Sequence, residues 1–175
     1  RLDLELQVNS WTTEDGHRRY TTLVRDVTLQ RQATAALEHA EERWSIALRG
    51  ARIGVFDINL VTGSSIVSDT WWEMLGYAPT ETVDPQVIWR QSVHVEDMPQ
   101  IDANDQACYS GAAPRSEGEY RIRHHNGSWI WLRYDASVTR RDEQGRALRL
   151  VGTQTDITEL KAAEAGLRSS EERLR

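Results

Sequence analysis

The first 28 residues show the alternating hydrophobic pattern of β-strands. Every second residue from 2 to 8 is Leu or Val, which is the pattern of a strand with one buried face. The Glu-Asp-Gly-His sequence at 14–17 is typical of a turn, and residues 20–27 then predict a return strand. The pattern indicates a β-hairpin over residues 2–28. Since a lone hairpin is marginally stable in water, we expect it to need a packing partner.

Two segments instead place apolar or small residues three or four positions apart, which predicts amphipathic helices with a coiled-coil seam. The first spans residues 29–50, where Thr28 can cap the helix and Gly50 can end it. The second spans residues 158–175. Many seam positions hold Ala or Ser, which suits an adjustable interface between chains and equally suits a solvated linker. The seam residues are Gln30, Ala33, Leu37, Ala40 and Trp44, and then Leu160, Ala163, Leu167, Ser170 and Leu174.

The segment between the two helices predicts a mixed α+β domain. Asp69 caps a short helix, one or two short helices lie within 79–92, and a longer helix covers 96–110. The Asn126-Gly127 pair between two alternating runs is a strong hairpin pattern. The predicted strands are 53–60, 65–68, 117–125, 128–141 and 147–157.

The two ends of the chain resemble each other at an offset of 130 residues. Eight of twenty positions are identical between 24–43 and 154–173. Self-similarity at a fixed spacing indicates arrayed domains. We therefore expect four segments: 1–28, the last hairpin of a preceding domain copy; 29–44, a connecting helix; 45–158, a complete copy; and 159–175, an outgoing helix. Arg1 is not a natural start, so we expect an excerpt of a longer protein.

Several motifs, in this order, resemble the PAS family, of the PAS fold three type that is common in bacterial receptors. Val95 stands where the family usually has Pro. The resemblance implies a five-stranded antiparallel sheet with flanking helices, which encloses a small pocket. The residues that carry it are Gly54-Val55-Phe56-Asp57, Thr62-Gly63, 71–77 (Trp-Trp-Glu-Met-Leu-Gly-Tyr), 93–97 (Val-His-Val-Glu-Asp), 119–123 (Glu-Tyr-Arg-Ile-Arg), Gly127-Ser128-Trp129, Trp131, Gly152-Thr153 and Asp156-Ile157-Thr158.

The resemblance implies a sensory and signal-relay module of a multidomain receptor, with a histidine kinase or a cyclic-dinucleotide enzyme as its output. It places Asp156 and Thr158 where the last strand meets the outgoing helix, and the repeat places Asp26 and Thr28 at the same point of the preceding copy. We expect these four residues to couple strand and helix. The alternative is a plain helix cap with no signalling role. The motifs of hydrolases, metalloproteases and nucleotide-binding enzymes do not occur, so we expect no catalytic site in this segment.

Apolar residues of the predicted strands and helices are candidates for the pocket wall. A ligand pocket and an ordinary packed core have the same composition, so both interpretations stay open. Arg121, Arg133 and Tyr134 are polar groups that could point either way. The candidate pocket residues are Phe56, Ile58, Trp72, Leu75, Trp89, Ile122, Trp131 and Val151.

The common cofactor motifs of PAS relatives do not occur here. The long helix, 96–110, has no His to bind haem iron, and Cys108 lies between Ala107 and Tyr109 rather than in an Asn-Cys-Arg motif of photoactive flavin domains. The spacing of the histidines predicts no metal site. A small-molecule or flavin ligand stays open.

Composition narrows the partners and the compartment. The net charge of −6 does not suit a phosphate backbone, so we expect no nucleic-acid partner. A single cysteine excludes an internal disulfide and fits a reducing cytoplasm. No apolar run is long enough for a membrane span. The partners we expect are a second copy of the chain, bound through the connecting helices, and adjacent PAS and output domains. A ligand-free dimerisation module is the alternative.

Overall fold

The computed structural model describes residues 2–79 and 83–173, which form two compact units within Arg1–Ala47 and Leu48–Arg175. Leu174 of the predicted seam, and part of the segment expected to hold one or two short helices, lie outside the described residues. In the first unit, strands β1 (Leu4–Thr12) and β2 (Arg18–Asp26) form the predicted hairpin. Helix α1 (Thr28–Gly50) follows, and none of its residues is buried.

One face of this hairpin is apolar and exposed. Because side chains alternate across a strand, Leu6 and Val8 of β1 share a face with their partners in β2, Val24 and Thr22. Leu4, Leu6, Val8, Tyr20 and Val24 are each at least half exposed.

The second unit is a five-stranded antiparallel sheet with helices packed on one face, which confirms the predicted α+β fold. The sheet order is β4-β3-β7-β6-β5. Helices α2, α3 and α4 lie between β4 and β5 in the chain, and α5 follows β7. The elements are β3 (Ile53–Asn59), β4 (Ser65–Val67), α2 (Asp69–Met74), α3 (Pro85–Ser92), α4 (Met98–Ser110), β5 (Ser116–Arg123), β6 (Trp129–Arg141), β7 (Ala147–Asp156) and α5 (Thr158–Arg173).

The hydrophobic core lies between the sheet and helices α2, α3 and α4. Every second residue in the first half of β6 is buried, and helix α2 contributes Trp71 and Trp72. Gly152 allows close packing within the sheet, because a Cβ atom there would meet Phe56 Cζ at 2.5 Å and Ala136 Cβ at 2.6 Å. The main buried residues are Trp71, Trp72, Leu75, Ile101, Tyr120, Ile122, Leu132 and Leu150.

Two helix starts differ from the sequence prediction. Ser68, not Asp69, is the N-cap of α2, and the Ser68 hydroxyl accepts a hydrogen bond from the backbone N–H of Val55 at 3.0 Å. Helix α4 begins at Met98 instead of residue 96. Asp97 instead binds the Arg121 guanidinium at 2.7 Å, and this ion pair holds the pKa of the Asp97 carboxyl below its usual value.

Candidate functional site

The junction between β7 and α5 is bonded to the neighbouring strand β6. The Thr158 hydroxyl oxygen accepts a hydrogen bond from the backbone N–H of Trp131 at 2.9 Å, and the backbone N–H of Ile157 donates to the carbonyl of Trp131 at 2.8 Å. The Asp156 carboxylate accepts from the backbone N–H of Thr158 at 2.8 Å and from its hydroxyl at 2.5 Å. Asp156 therefore orients the hydroxyl that joins the first residue of α5 to the sheet.

The junction between β2 and α1 has a matching set of bonds. The backbone N–H of Asp3 donates to the Thr28 hydroxyl at 2.8 Å, and the backbone N–H of Val27 donates to the carbonyl of Asp3 at 2.9 Å. The Asp26 carboxylate accepts from the backbone N–H of Thr28 at 2.9 Å, and hydrogen bonds from Thr28 hold its pKa below the usual value. Asp3 thus takes the part that Trp131 takes in the second unit.

An ion pair adds a second attachment between α5 and the sheet. Lys161, in the first turn of α5, lies 2.6 Å from the Glu119 carboxylate of β5, which also binds Arg133 of β6 at 2.7 Å. The Lys161 ammonium is 5.3 Å from the ring centroid of Trp131, within the range of a cation–π contact. Hydrogen bonds from Lys161 and, to a smaller extent, from Arg133 lower the pKa of Glu119. Side chains of two neighbouring strands, Glu119 and Trp131, therefore hold one lysine of the outgoing helix.

A cavity of about 300 Å³ lies between the inner face of the sheet and helices α3 and α4. This volume is at the lower end of the range for small-molecule sites. Aromatic side chains supply much of its wall, namely Phe56, Trp71, Trp89, Tyr109, Tyr120 and Tyr134.

A chain of hydrogen bonds crosses the wall of this cavity. The Trp71 indole N–H donates to Gln154 Oε1 at 2.6 Å, and Gln154 Nε2 donates to the Tyr120 hydroxyl oxygen at 2.7 Å. The Trp89 indole N–H donates to the same oxygen at 2.9 Å. An indole N–H can only donate, so Trp71 fixes the orientation of the Gln154 amide. Burial raises the pKa of Tyr120, which keeps this hydroxyl protonated.

The α4 side of the cavity is acidic. Asp102 and Asp105 line it together with Arg90 of α3. The Asp105 carboxylate accepts hydrogen bonds from the Ser116 hydroxyl at 2.6 Å and from the Tyr109 hydroxyl at 3.5 Å. Burial nevertheless raises the pKa of Asp105, because these two bonds do not replace the lost solvation.

The structure separates the predicted pocket residues into three groups. Phe56, Ile58 and Trp89 line the cavity. Three others, Trp72, Leu75 and Ile122, belong to the adjacent hydrophobic core.

The remaining two residues, Trp131 and Val151, lie on the outer face of the sheet, so the expectation that they point inward is wrong. Their chain neighbours Leu132 and Leu150 are the buried residues. The sequence did not decide whether three polar side chains point into the cavity. Tyr134 does line it, whereas Arg121 and Arg133 lie outside the cavity, where each forms an ion pair with a carboxylate.

Sequence reasoning missed the polar residues of the wall. Buried and more exposed residues alternate along β7, and Gln154 occupies one of the buried positions. Tyr120 occupies a buried position of the same alternating pattern in β5. The period of two around each residue is visible in the sequence and could have placed both on the inner face. Asp105 carries no such pattern, because its burial depends on how α4 packs against β5.

Comparison with known proteins identifies the family to which this fold belongs. Residues 65–154 match the family model described as PAS fold, which covers about half of the chain. The chain belongs to the PAS family. It is a PAS sensory domain, a type of module that is not itself catalytic, and it resembles the PAS domains of histidine kinases and diguanylate cyclases.

Individual relatives agree with this assignment. A sensory box histidine kinase/response regulator from Burkholderia thailandensis is 29% identical with a TM-score of 0.66, covering 76% of this chain and 98% of that one. The N-terminal domain of a diguanylate cyclase with PAS/PAC sensor from Marinobacter aquaeolei is 22% identical with a TM-score of 0.53, covering 62% and 98% respectively, and shows the shared fold.

A curated relative, the uncharacterized protein y4lL of Sinorhizobium fredii, is 32% identical over 104 residues. This match covers 59% of the present chain but only 12% of the relative's length. Among the helices described within residues 2–79 and 83–173, none combines the length and the apolar character of a membrane span.

Proposed function

We propose that this PAS domain is a sensor and relay module of a larger receptor, and that it passes a change in its core to the outgoing helix α5 through Asp156 and Thr158. The observation that carries the proposal is the bond from the Trp131 backbone to the Thr158 hydroxyl. Any shift of α5 along or about its axis must strain this bond and the ion pair of Lys161 with Glu119. Strand β6 also carries the cavity residue Tyr134, so the cavity and the junction share one strand.

The N-terminal hairpin is proposed to be the last two strands of a preceding PAS domain. Its register supports this, because the pair Leu4 and Asp26 corresponds to the pair Leu132 and Asp156. The exposed apolar face of the hairpin corresponds to the buried inner face of β6 and β7. A face of that composition is buried in a stable protein, and the rest of a preceding domain would cover it. Under this proposal Asp26 and Thr28 couple that domain to α1.

The longer protein is proposed to be a cytoplasmic signalling protein with a histidine kinase or a cyclic-dinucleotide enzyme as its output. The resemblance to PAS domains of both classes supports this. Helices α1 and α5 are proposed to pair with their counterparts in a second copy, as parallel coiled coils. Leu37, Trp44 and Leu167, all on seam positions, are more than half exposed and are available for such pairing.

A ligand-free dimerisation module is the second candidate. The exposed apolar residues of α1, among them Leu29 and Trp44, favour it, because they provide an interface without any use of the cavity. In that case the signal arrives from neighbouring domains only.

Native mass spectrometry of the purified chain, together with its absorbance spectrum, separates the two candidates. A stoichiometric bound mass or a visible absorption band supports the sensor and identifies the chemistry of its ligand. A dimer without bound mass supports the ligand-free module. A monomer without bound mass contradicts both candidates.

A further inference from the structure

We propose that the cavity binds a small aromatic molecule without negative charge that carries both a hydrogen-bond acceptor and an N–H donor, with the acceptor on the Tyr120 hydroxyl and the donor at Asp105. This inference rests on the proposed sensory function and names the chemical class of its ligand. Three properties of the cavity support it: the proton of the Tyr120 hydroxyl, the shape of the aromatic wall, and the charge of the lining residues.

The Tyr120 hydroxyl has a proton to donate. Its oxygen already accepts two hydrogen bonds, from Trp89 Nε1 and from Gln154 Nε2, and neither of those groups can accept one. Among the residues that the structure describes, Tyr120 donates to no acceptor, although its side chain is 1% exposed. Since Tyr120 and both of its donors line the cavity, a ligand acceptor is the natural partner for this proton.

The wall sets the size and shape of the ligand. A volume of about 300 Å³ suits one or two small rings. Trp89 and Tyr120 meet edge to face with their ring centroids 6.2 Å apart, and Tyr120 and Tyr134 are 5.7 Å apart. Such a wall offers both ring faces and ring edges, to which a planar aromatic molecule packs well.

The charge of the cavity selects against anions. Asp102 and Asp105 provide two carboxylates, while Arg90 provides one guanidinium that lies 6.0 Å from the Trp89 ring centroid. The Asp105 carboxylate has accepting capacity left beyond Ser116 and Tyr109. A ligand N–H would restore part of the solvation that Asp105 loses on burial, whereas a ligand carboxylate would be repelled.

Three probes of the same shape test the proposal. Benzamide is neutral and has both an acceptor and an N–H donor, benzoate is an anion with acceptors only, and benzamidine is a cation with donors only. Titration of each, followed by the indole N–H signals of Trp71 and Trp89 in NMR spectra, gives three affinities. We expect benzamide to bind at least tenfold more tightly than benzoate. Equal affinities, tighter binding of benzoate, or no binding of benzamide would overturn the proposal.

Two variants assign the contacts. Tyr120→Phe should weaken benzamide binding about tenfold and leave benzamidine within about twofold, because only benzamide can accept the lost proton. Equal weakening of both probes means general damage to the cavity and overturns the assignment to Tyr120. Asp105→Asn should reduce the ratio of the benzamide affinity to the benzoate affinity at least threefold. If Tyr120→Phe does not fold, the order of the probes on the unmodified chain and the Asp105→Asn result decide.

Failure of this inference can be told apart from failure of the proposed function. If the benzamide series fails while native mass spectrometry shows a different bound molecule, the sensory function stands and the ligand class assigned above is wrong. If the chain carries no bound mass and binds no probe, both fail.

Discussion

The hydroxyl of Thr158, the first residue of α5, accepts a hydrogen bond from the backbone N–H of Trp131 in strand β6. The outgoing helix is thus bonded to the strand beside the one from which it emerges. Ile157 adds a backbone bond to the same residue of β6. A helix attached in this way cannot move independently of the sheet, which is the property that a relay requires.

Thr158→Val should destabilise the domain by about 1–3 kcal/mol, because it keeps the shape of the side chain but leaves the partly buried N–H of Trp131 without an acceptor. Urea unfolding measures the loss, and amide hydrogen exchange of Trp131 should become faster. Thr158→Ser keeps the hydroxyl and is the matched control. Unchanged exchange at Trp131 in the valine variant would show that the bond does not hold the junction.

Gly152→Ala should destabilise the fold by about 1–3 kcal/mol, because its Cβ would overlap Phe56, Ala136 and the carbonyl oxygen of Asp135, which lies 2.7 Å away. The matched control is Gly166→Ala in α5, where nothing lies within 4 Å. That change should stabilise the helix by about 0.5–1 kcal/mol. Thermal unfolding measures both, and equal effects at the two sites would disprove the close-packing argument.

Asp105→Asn should stabilise the unliganded domain at neutral pH. Burial raises the pKa of Asp105 above its ordinary 3.8, so the folded state holds this proton more tightly than the unfolded state and ionisation opposes folding. The stabilising effect of the proton is complete below the ordinary pKa and is lost as the pH rises through the raised one. The gain from Asn should therefore be largest near pH 7 and disappear as the pH falls below about 4.

Urea unfolding of both proteins between pH 3 and pH 7 tests this. The asparagine Oδ1 can still accept from Ser116, so that contact serves both proteins. A gain that does not depend on pH would mean that the carboxylate charge is not its source.

Lys161→Met should loosen the first turn of α5 while keeping the apolar stem of the side chain over Trp131. The lysine is attached by its ammonium to Glu119, whose pKa is lowered by this contact and by Arg133. A lowered carboxylate pKa contributes stability above its ordinary value that is lost as the pH falls through the lowered value. Acidification should therefore lower the protection of the amides in this turn of the unmodified chain, measured relative to their intrinsic exchange rate at each pH.

The Met variant should show weaker protection of this turn at neutral pH and a smaller further loss of protection on acidification. Arg168→Met provides the matched control, because Arg168 lies on the exposed part of the same helix and its Nε lies 4.0 Å from the carboxylate of Glu172. Equal responses in Lys161→Met and Arg168→Met would contradict a specific role for Lys161.

Local patterns predict the fold, and the site only in part. Period-two alternation and the Asn126-Gly127 turn define strands by local chemistry, so the sheet follows from the sequence. Trp131 is expected to point inward because it is large and apolar, but its ring is instead covered by the Arg121 and Lys161 side chains on the outer face. That expectation gives apolarity more weight than register, and the register decides which face a strand residue occupies.

The polar part of the cavity could not be predicted in the same way. The raised pKa of Asp105 results from burial where α4 packs against β5, a contact that no local pattern encodes. The internal repeat points to Asp156 and Thr158, but the bond from Trp131 to Thr158 links residues 27 positions apart and depends on the strand register.

If the junction relays a signal to α5, altering it must change the activity of the output domain in the full-length receptor. Asp156→Ala removes the carboxylate that orients Thr158, and Asp142→Ala is the control, since Asp142 makes similar bonds to Gln144 and Arg146 in the turn between β6 and β7. With both variants folded, Asp156→Ala should change the output rate or its response to stimulus, while Asp142→Ala should not. An unchanged output in a folded Asp156→Ala receptor would contradict the relay.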